Sequence, residues 1–359
     1  MIGLKVMSLT MLELKAIKSI TAQICGLLSL SLLPLTAFGI SFTNTDVQTI
    51  IDNDSRPFSG RILINDNQQT YVDYQAGDGI VKDSRFIIDS ISKTITATLV
   101  LRAVEQQKLT LHDDITDYLN IVTEHPVTVA QLLNHTAGIL PPKPASLNTR
   151  SQFIPASQFS YSNYGYKLLG DILSQRYHMP YSDLVNQFAK QYKLDISADV
   201  GEITAMYANQ PHLVPGFMEQ QQQRVLLDEL TIDDSFIAFG AMQASSQGIA
   251  AFIAGLQQQR FLSSASVKAM STASANRPHR WGELGYGYGL QISQQAELLE
   301  YSHSGYLPGY ISLMLYYPQV QLSVVILENT SWDLDNMERV FGLHDKIRQA
   351  IRNRLKTDE

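Results

Sequence analysis

Ser90-Ile91-Ser92-Lys93 is the only place in the 359 residues where a lysine follows a serine by three positions. On a helix, residues three apart share a face, so the lysine amine can reach the serine hydroxyl. If burial strips the ammonium of its charge, the amine can take the hydroxyl proton and leave a nucleophile behind. At a solvated helix start the same four residues would do no chemistry, so the pattern needs partners.

Tyr161-Ser162-Asn163 supplies one candidate, just before Tyr164, Tyr166, Leu168 and Leu169 open a new helical pattern. A phenol near an amine can relay protons, and an Asn amide can bind a carbonyl. Tyr207-Ala208-Asn209 repeats the spacing but runs into Gln210-Pro211, a loop signal, so Tyr161 ranks ahead. His303-Ser304-Gly305 supplies the third, between a strand pattern and the turn Tyr306-Leu307-Pro308-Gly309. Its glycine lets backbone lie close beside a substrate, and an adjacent N–H can act as an oxyanion donor.

The elements that would position these groups follow from periodicity. Residues 58–74 alternate apolar and polar about Asn65-Asp66-Asn67, predicting an antiparallel hairpin. Phe86-Ile87-Ile88-Asp89 leads to Ser90, and Ile91, Ile95, Leu99 and Val104 then recur at helical spacing to about Gln107. Ser90 is thereby placed at a helix N-terminus, where unpaired N–H groups and the dipole favour negative charge. Residues 109–275 read as a mostly helical insert broken at Pro126, Gly138, Pro141-Pro142, Pro155 and Pro215. From Gly285 strands are predicted at 288–292, 298–302, 310–317 and 321–327, as an antiparallel meander, with an amphipathic helix at 337–355 packed on it. Helices and strands are segregated, which predicts an α+β fold with an all-helical subdomain rather than a doubly wound parallel sheet.

At the start, Lys15 and Lys18 precede an apolar stretch at 24–38 that ends in Ala37-Phe38-Gly39. Residues 1–39 read as a secretory signal peptide, the alternative being a retained membrane anchor. The single cysteine, Cys25, lies inside it, so the mature chain, 40–359, has no disulfide. Cleavage removes three lysines and one glutamate, taking the formal charge from −7 to −9. Such an acidic chain argues against nucleic acid as a partner. The eight histidines are scattered and no ligand spacing appears, so neither a metal nor an organic cofactor is implied. No G-x-S-x-G elbow, H-E-x-x-H helix or Walker loop is present.

Taken in order, the three motifs resemble those of the serine β-lactamase-like and penicillin-binding family, which holds class C β-lactamases, D-alanyl-D-alanine carboxypeptidases and esterase relatives. Leu132-Leu133-Asn134-His135-Thr136-Ala137-Gly138 is similar to the family's L-L-x-H-T-S-G stretch. Tyr286-Gly287-Tyr288-Gly289 resembles its glycine-tyrosine strand, and residues 303–309 its H-x-G-x-x-x-G. The resemblance implies a β-lactamase/transpeptidase-like fold, with an antiparallel sheet flanked by N- and C-terminal helices. It implies Ser90, Lys93 and Tyr161 as the catalytic groups, with Asn163 orienting the acyl side chain. An oxyanion would sit between the N–H groups of Ser90 and Tyr306, and His303, Ser304 and Gly305 would line the substrate. His135 and Gly138 would shape a loop.

Three departures stand out. His303 occupies the lysine position of the Lys-Thr-Gly typical of efficient class C β-lactamases, and histidine is a weaker carboxylate partner. Asp89 replaces a glycine before the nucleophile, and Gln247-Gly248 stands where relatives carry an aspartate. The expected activity is an exported, periplasmic or secreted, serine hydrolase acting on a small-molecule or peptidoglycan-derived ester or amide. The alternatives are a D-alanyl-D-alanine carboxypeptidase or weak β-lactamase, and a silent penicillin- or peptidoglycan-binding relative.

Overall fold

The computed structural model describes residues 40–357 except 145 and 296. The leader read at 1–39, with Cys25, lies outside the described residues. Among the described residues no helix is long and apolar enough to cross a membrane.

The architecture is α+β, built on one eight-stranded antiparallel sheet. Its strands are β1 (Gly60–Asn65), β2 (Thr70–Ala76), β3 (Ala275–His279), β4 (Gly282–Tyr286), β5 (Gln291–Gln295), β6 (Leu298–Leu307), β7 (Tyr310–Tyr317) and β8 (Leu322–Glu328). They lie in the order β3-β4-β5-β6-β7-β8-β1-β2, so the first hairpin joins the C-terminal meander through β1 and β8. Every residue of β7 and β8 is buried. Side chains alternate between faces along a strand, and here both faces are covered, which explains why these segments read as continuous apolar runs.

Leu313, Leu315, Tyr317, Val324 and Ile326 face α1 (Asn44–Asp52) and the C-terminal helix, whose Leu343, Ile347 and Ile351 complete that layer. Met314, Tyr316, Val325 and Leu327 pack with the helices of the middle region. Two carboxylates are sealed between sheet and C-terminal helix. Glu328 receives Arg56 through two hydrogen bonds of 2.7 and 2.8 Å, and His344 Nε2 lies 2.6 Å away. Glu300 receives Arg348, Arg352 and the Tyr317 hydroxyl.

The helix after Ser90, α2 (Ser92–Glu105), is buried on every side from Ser92 to Leu101, a central core element rather than an amphipathic surface one. Its threonines are compatible with that burial because each hydroxyl finds an oxygen: Thr94 donates to Gly289 O at 2.7 Å and Thr96 to Ala238 O at 2.7 Å. Between residues 109 and 275 the chain is helical with several two- to four-residue strand pairings among the helices. One of these, Phe86–Ile87 against Gln243–Ala244, anchors the approach to the nucleophile.

Several boundaries differ from the periodicity: the strand expected at 288–292 is β5, Gln291–Gln295, because the chain turns at Gly289 with a left-handed φ of 65°, and the one expected at 298–302 runs on to Leu307. Ser90 lies in a 3-10 turn, Asp89–Ile91, and the α-helix starts at Ser92, because Asp89 adopts a left-handed φ of 48° that the helix cannot continue. The meander begins at β3, before Gly285. Pro278 interrupts its strand signal, yet β3 is the sheet edge, where a missing N–H is tolerated.

Candidate active site

Ser90, on the turn ahead of α2, faces a cleft of about 470 Å³ that is also lined by Tyr161, Asn163, Arg277, Ser304, Gly305 and Tyr306. Leu334, Met337 and Phe341 form an apolar rim. Residues from four distant segments thus meet around one hydroxyl.

Lys93 projects from the first turn of α2 and is fully buried. Its Nζ lies 3.0 Å from Ser90 Oγ and 2.6 Å from the carbonyl oxygen of Phe239. Aromatic rings enclose it, with Tyr161, Phe239 and Tyr166 centred 4.9, 5.6 and 5.8 Å away. Burial, reinforced by the Arg277 charge and opposed by Asp89, holds this amine well below the ordinary lysine range. In both contacts the Lys93 amine donates, and a neutral amine has in addition a lone pair that can turn toward the Ser90 hydroxyl.

Tyr161 immediately precedes α3 (Asn163–Tyr177), whose N-cap Ser162 accepts from Gly165 N–H at 3.0 Å. Burial pushes its phenol up to about 12, against the pull of a hydrogen bond with Ser90 and the Arg277 charge. Asn163, the first residue of α3, is exposed on the cleft wall. Tyr207 is elsewhere: on the helix Ile203–Asn209, its hydroxyl takes the Gly216 N–H and the Tyr310 hydroxyl.

Strand β6 forms the opposite wall. Gly305 pairs with Ser312 and Tyr306 with Ile311. A Cβ at Gly305 would lie 2.5 Å from Asp89 Cβ, 2.9 Å from Ser90 N and 2.4 Å from Ser312 Oγ, so only glycine lets this strand press against the nucleophile's amide. Gly289 plays the same part behind α2: its φ is 65°, and a Cβ would come 2.7 Å from the Lys93 carbonyl oxygen. The Tyr306 hydroxyl is spent on the carbonyl of Trp332 at 2.8 Å.

His303 does not reach the cleft. It is fully buried behind Ser304, and burial with the nearby Arg277 and Lys93 charges keeps its imidazole well below its ordinary range. The substrate-lining place that the resemblance implies for it is taken on this wall by Ser304, Gly305 and Tyr306. Asp89 is likewise turned inward, one carboxylate oxygen 2.9 Å from Ser312 Oγ and the other without a hydrogen-bond partner among the described residues. Burial drives its carboxyl well above the usual range. At Gln247-Gly248, the Gly248 N–H is bound by the N-cap Ser245 at 3.0 Å.

Arg277 is the cleft residue that sequence reasoning missed. Its guanidinium carbon lies 4.9 Å from the Tyr161 ring centre, and its Nη1 is buried with no hydrogen-bond partner among the described residues. No carboxylate pairs with it among those residues. The residue falls in the Pro-broken β3, where no alternation marks a strand. Among the described residues no group of three His, Cys, Asp or Glu is placed to hold a metal ion.

Known proteins share this arrangement of elements. The D-amino acid amidase of Ochrobactrum anthropi SV3 superposes with a TM-score of 0.70 at 20% identity, over 88% of this chain and 98% of that one. The probable fimbrial assembly protein FimD, serogroup H1, of Dichelobacter nodosus is 28% identical over 259 residues, 63% of this chain and 62% of its own length. Penicillin-binding protein 4* of Bacillus subtilis is 23% identical over 301 residues, 74% of this chain and 65% of its own. The chain therefore spans less than two thirds of these two relatives. The sequence model of the beta-lactamase family matches residues 59–341, from the first strand into the C-terminal helix, and the chain belongs to that family of serine hydrolases.

Proposed function

We propose that the chain cleaves an ester or peptide-like amide through an acyl-Ser90 intermediate. The observation that carries this reading is a fully buried lysine amine 3.0 Å from the serine hydroxyl, with its other close contact a carbonyl oxygen. Lys93, neutral in its dry aromatic setting, takes the Ser90 proton as Oγ attacks the substrate carbonyl. The oxyanion is received by the N–H groups of Ser90 and Tyr306, each worth on the order of 3 kcal/mol of barrier. Tyr161, still protonated at neutral pH, passes its proton to the leaving group and recovers one from Lys93. Water then attacks the acyl carbon by the same route in reverse, freeing Ser90. With the leader read at 1–39, this hydrolase would act in the periplasm or be secreted.

A second reading, an acyl donor carrying a carboxylate as in a D-alanyl-D-alanine carboxypeptidase, is favoured by Arg277, a cation on the nucleophile's cleft with no carboxylate paired to it among the described residues. The deciding experiment offers the purified protein a short-chain p-nitrophenyl ester, a chromogenic cephalosporin and a D-Ala-D-Ala peptide, with Ser90→Ala as control. Ester turnover that vanishes in the control is expected, and peptide release would add the second reading. Turnover of none of the three would overturn both in favour of a silent binding protein.

A further inference from the structure

Behind the cleft, a chain of four hydrogen bonds joins its two walls. His135 Nδ1 accepts the backbone N–H of Ser162 at 3.1 Å. His135 Nε2 and the Tyr286 hydroxyl are 3.2 Å apart, and the same hydroxyl lies 3.1 Å from His303 Nε2. His303 Nδ1 lies 2.9 Å from the carbonyl oxygen of Ser304. Both ends fix the direction. A backbone N–H can only donate, so His135 Nδ1 carries no proton and Nε2 must carry one. A carbonyl can only accept, so His303 Nδ1 carries the proton and its Nε2, in the neutral ring, must accept. The one hydroxyl between them, Tyr286, therefore receives from His135 and gives to His303, and each donor in the series meets one acceptor.

We propose that His135, Tyr286 and His303 form a proton-ordered strut that positions Tyr161 on one wall against the Ser304–Gly305–Tyr306 edge on the other. The proposal rests on the reading of Ser90 as nucleophile and names the residues that hold its surroundings in register. His135 also packs against the ring it would position, its centroid 4.4 Å from that of Tyr161 and its plane tilted by 38°, and its backbone holds a left-handed φ of 60°. Tyr166, the other phenol beside the strut, donates its proton to Leu133 O at 2.7 Å, so toward the Tyr286 hydroxyl its oxygen can only accept.

An added proton has no place in this series. On His135 it would set Nδ1–H against the Ser162 N–H. On His303 it would turn Nε2 from acceptor to donor, leaving the Tyr286 hydroxyl proton without its acceptor in the series. The surroundings resist that proton: both rings are fully buried, Lys93 and Arg277 face each of them, and His279 adds to the field at His303. These are positioning residues, since none of the three lines the cleft.

The test is nitrogen NMR of histidine-labelled full-length protein, alongside kinetics of Tyr286→Phe. In the unsubstituted protein His135 should appear as the Nε2–H tautomer and His303 as the Nδ1–H tautomer, both neutral from pH 5 to 8. Either ring in the opposite tautomer, or titrating in that window, overturns the strut. Tyr286→Phe removes a single oxygen and should lower kcat on the order of tenfold or more with KM nearly constant, while the Nε2 signals of both rings shift as they lose their shared partner and the tautomers, fixed by Ser162 N–H and Ser304 O, persist. An unaltered kcat with unaltered signals also overturns it. If the variant does not fold, the spectrum of the parent protein carries the test alone. Labelling of Ser90 by a fluorophosphonate separates the two levels: no labelling of the parent refutes the nucleophile, whereas the tautomers judge the strut without any turnover.

Discussion

Replacing Arg277 by glutamine should shift the whole pH profile of hydrolysis to the alkaline side. The Arg277 guanidinium carbon and the Lys93 nitrogen each lie 4.9 Å from the centre of the Tyr161 ring, so they are no farther apart than twice that distance, 9.8 Å. Two unit charges about 10 Å apart in a medium of effective dielectric about 20 repel by about 1.7 kcal/mol. That corresponds to roughly one pH unit. Arg277 holds the Lys93 amine down, so its removal raises the amine and a higher pH is needed to free the base. The acid limb of kcat/KM should move up by about one unit. The basic limb should move the same way, because Arg277 also lowers the Tyr161 phenol. A neutral p-nitrophenyl ester is the right probe, since a carboxylated substrate would pair with Arg277 and mask the effect. An acid limb that stays put, or moves to lower pH, would refute the assignment of Lys93 as the base under Arg277's influence.

Two more outcomes follow from the same packing. Gly305→Ala should reduce kcat/KM at least about a hundredfold with the fold retained, because the added methyl meets Ser90 N and Asp89 Cβ rather than open cleft; unchanged esterase kinetics would refute the close approach. Glu328→Gln strands Arg56 and His344 in the core and should cost about 3–5 kcal/mol, read as a lower urea midpoint. The arginine and its hydrogen bonds hold the Glu328 carboxyl below its ordinary value despite burial. Its stabilisation is therefore complete above the unfolded carboxyl range and fades as pH falls through the lower folded value, so the variant's deficit should shrink in acid.

Local pattern carried much of the fold. The prediction of a strand at 310–317 coincides with β7, and the hairpin about Asn65-Asp66-Asn67 with β1 and β2, because apolar periodicity and turn chemistry act over a few residues. The Ser90–Lys93 spacing is equally local, and one turn of backbone brings the amine to the hydroxyl. The burial of His303 was not legible: the same triplet serves an exposed hairpin or a buried strand, and only the covering segments decide. The strut joins His135, Tyr286 and His303 across 151 and 17 positions, a proximity that no periodicity encodes. Arg277 escaped because Pro278 erased the signature of its strand.

The amine beside Ser90 also bears on how the protein tolerates change. Lys93 is lowered on folding, so the unfolded chain binds a proton there that the native state does not, and folding grows more favourable as pH rises through the native value toward the unfolded one. Within that interval the native state carries a side chain that would rather be hydrated and charged. Replacing it with methionine, of similar length and without that preference, should yield a sturdier but inert protein. A lysine buried here at a cost to the fold is placed for what its amine does, not for what it holds together.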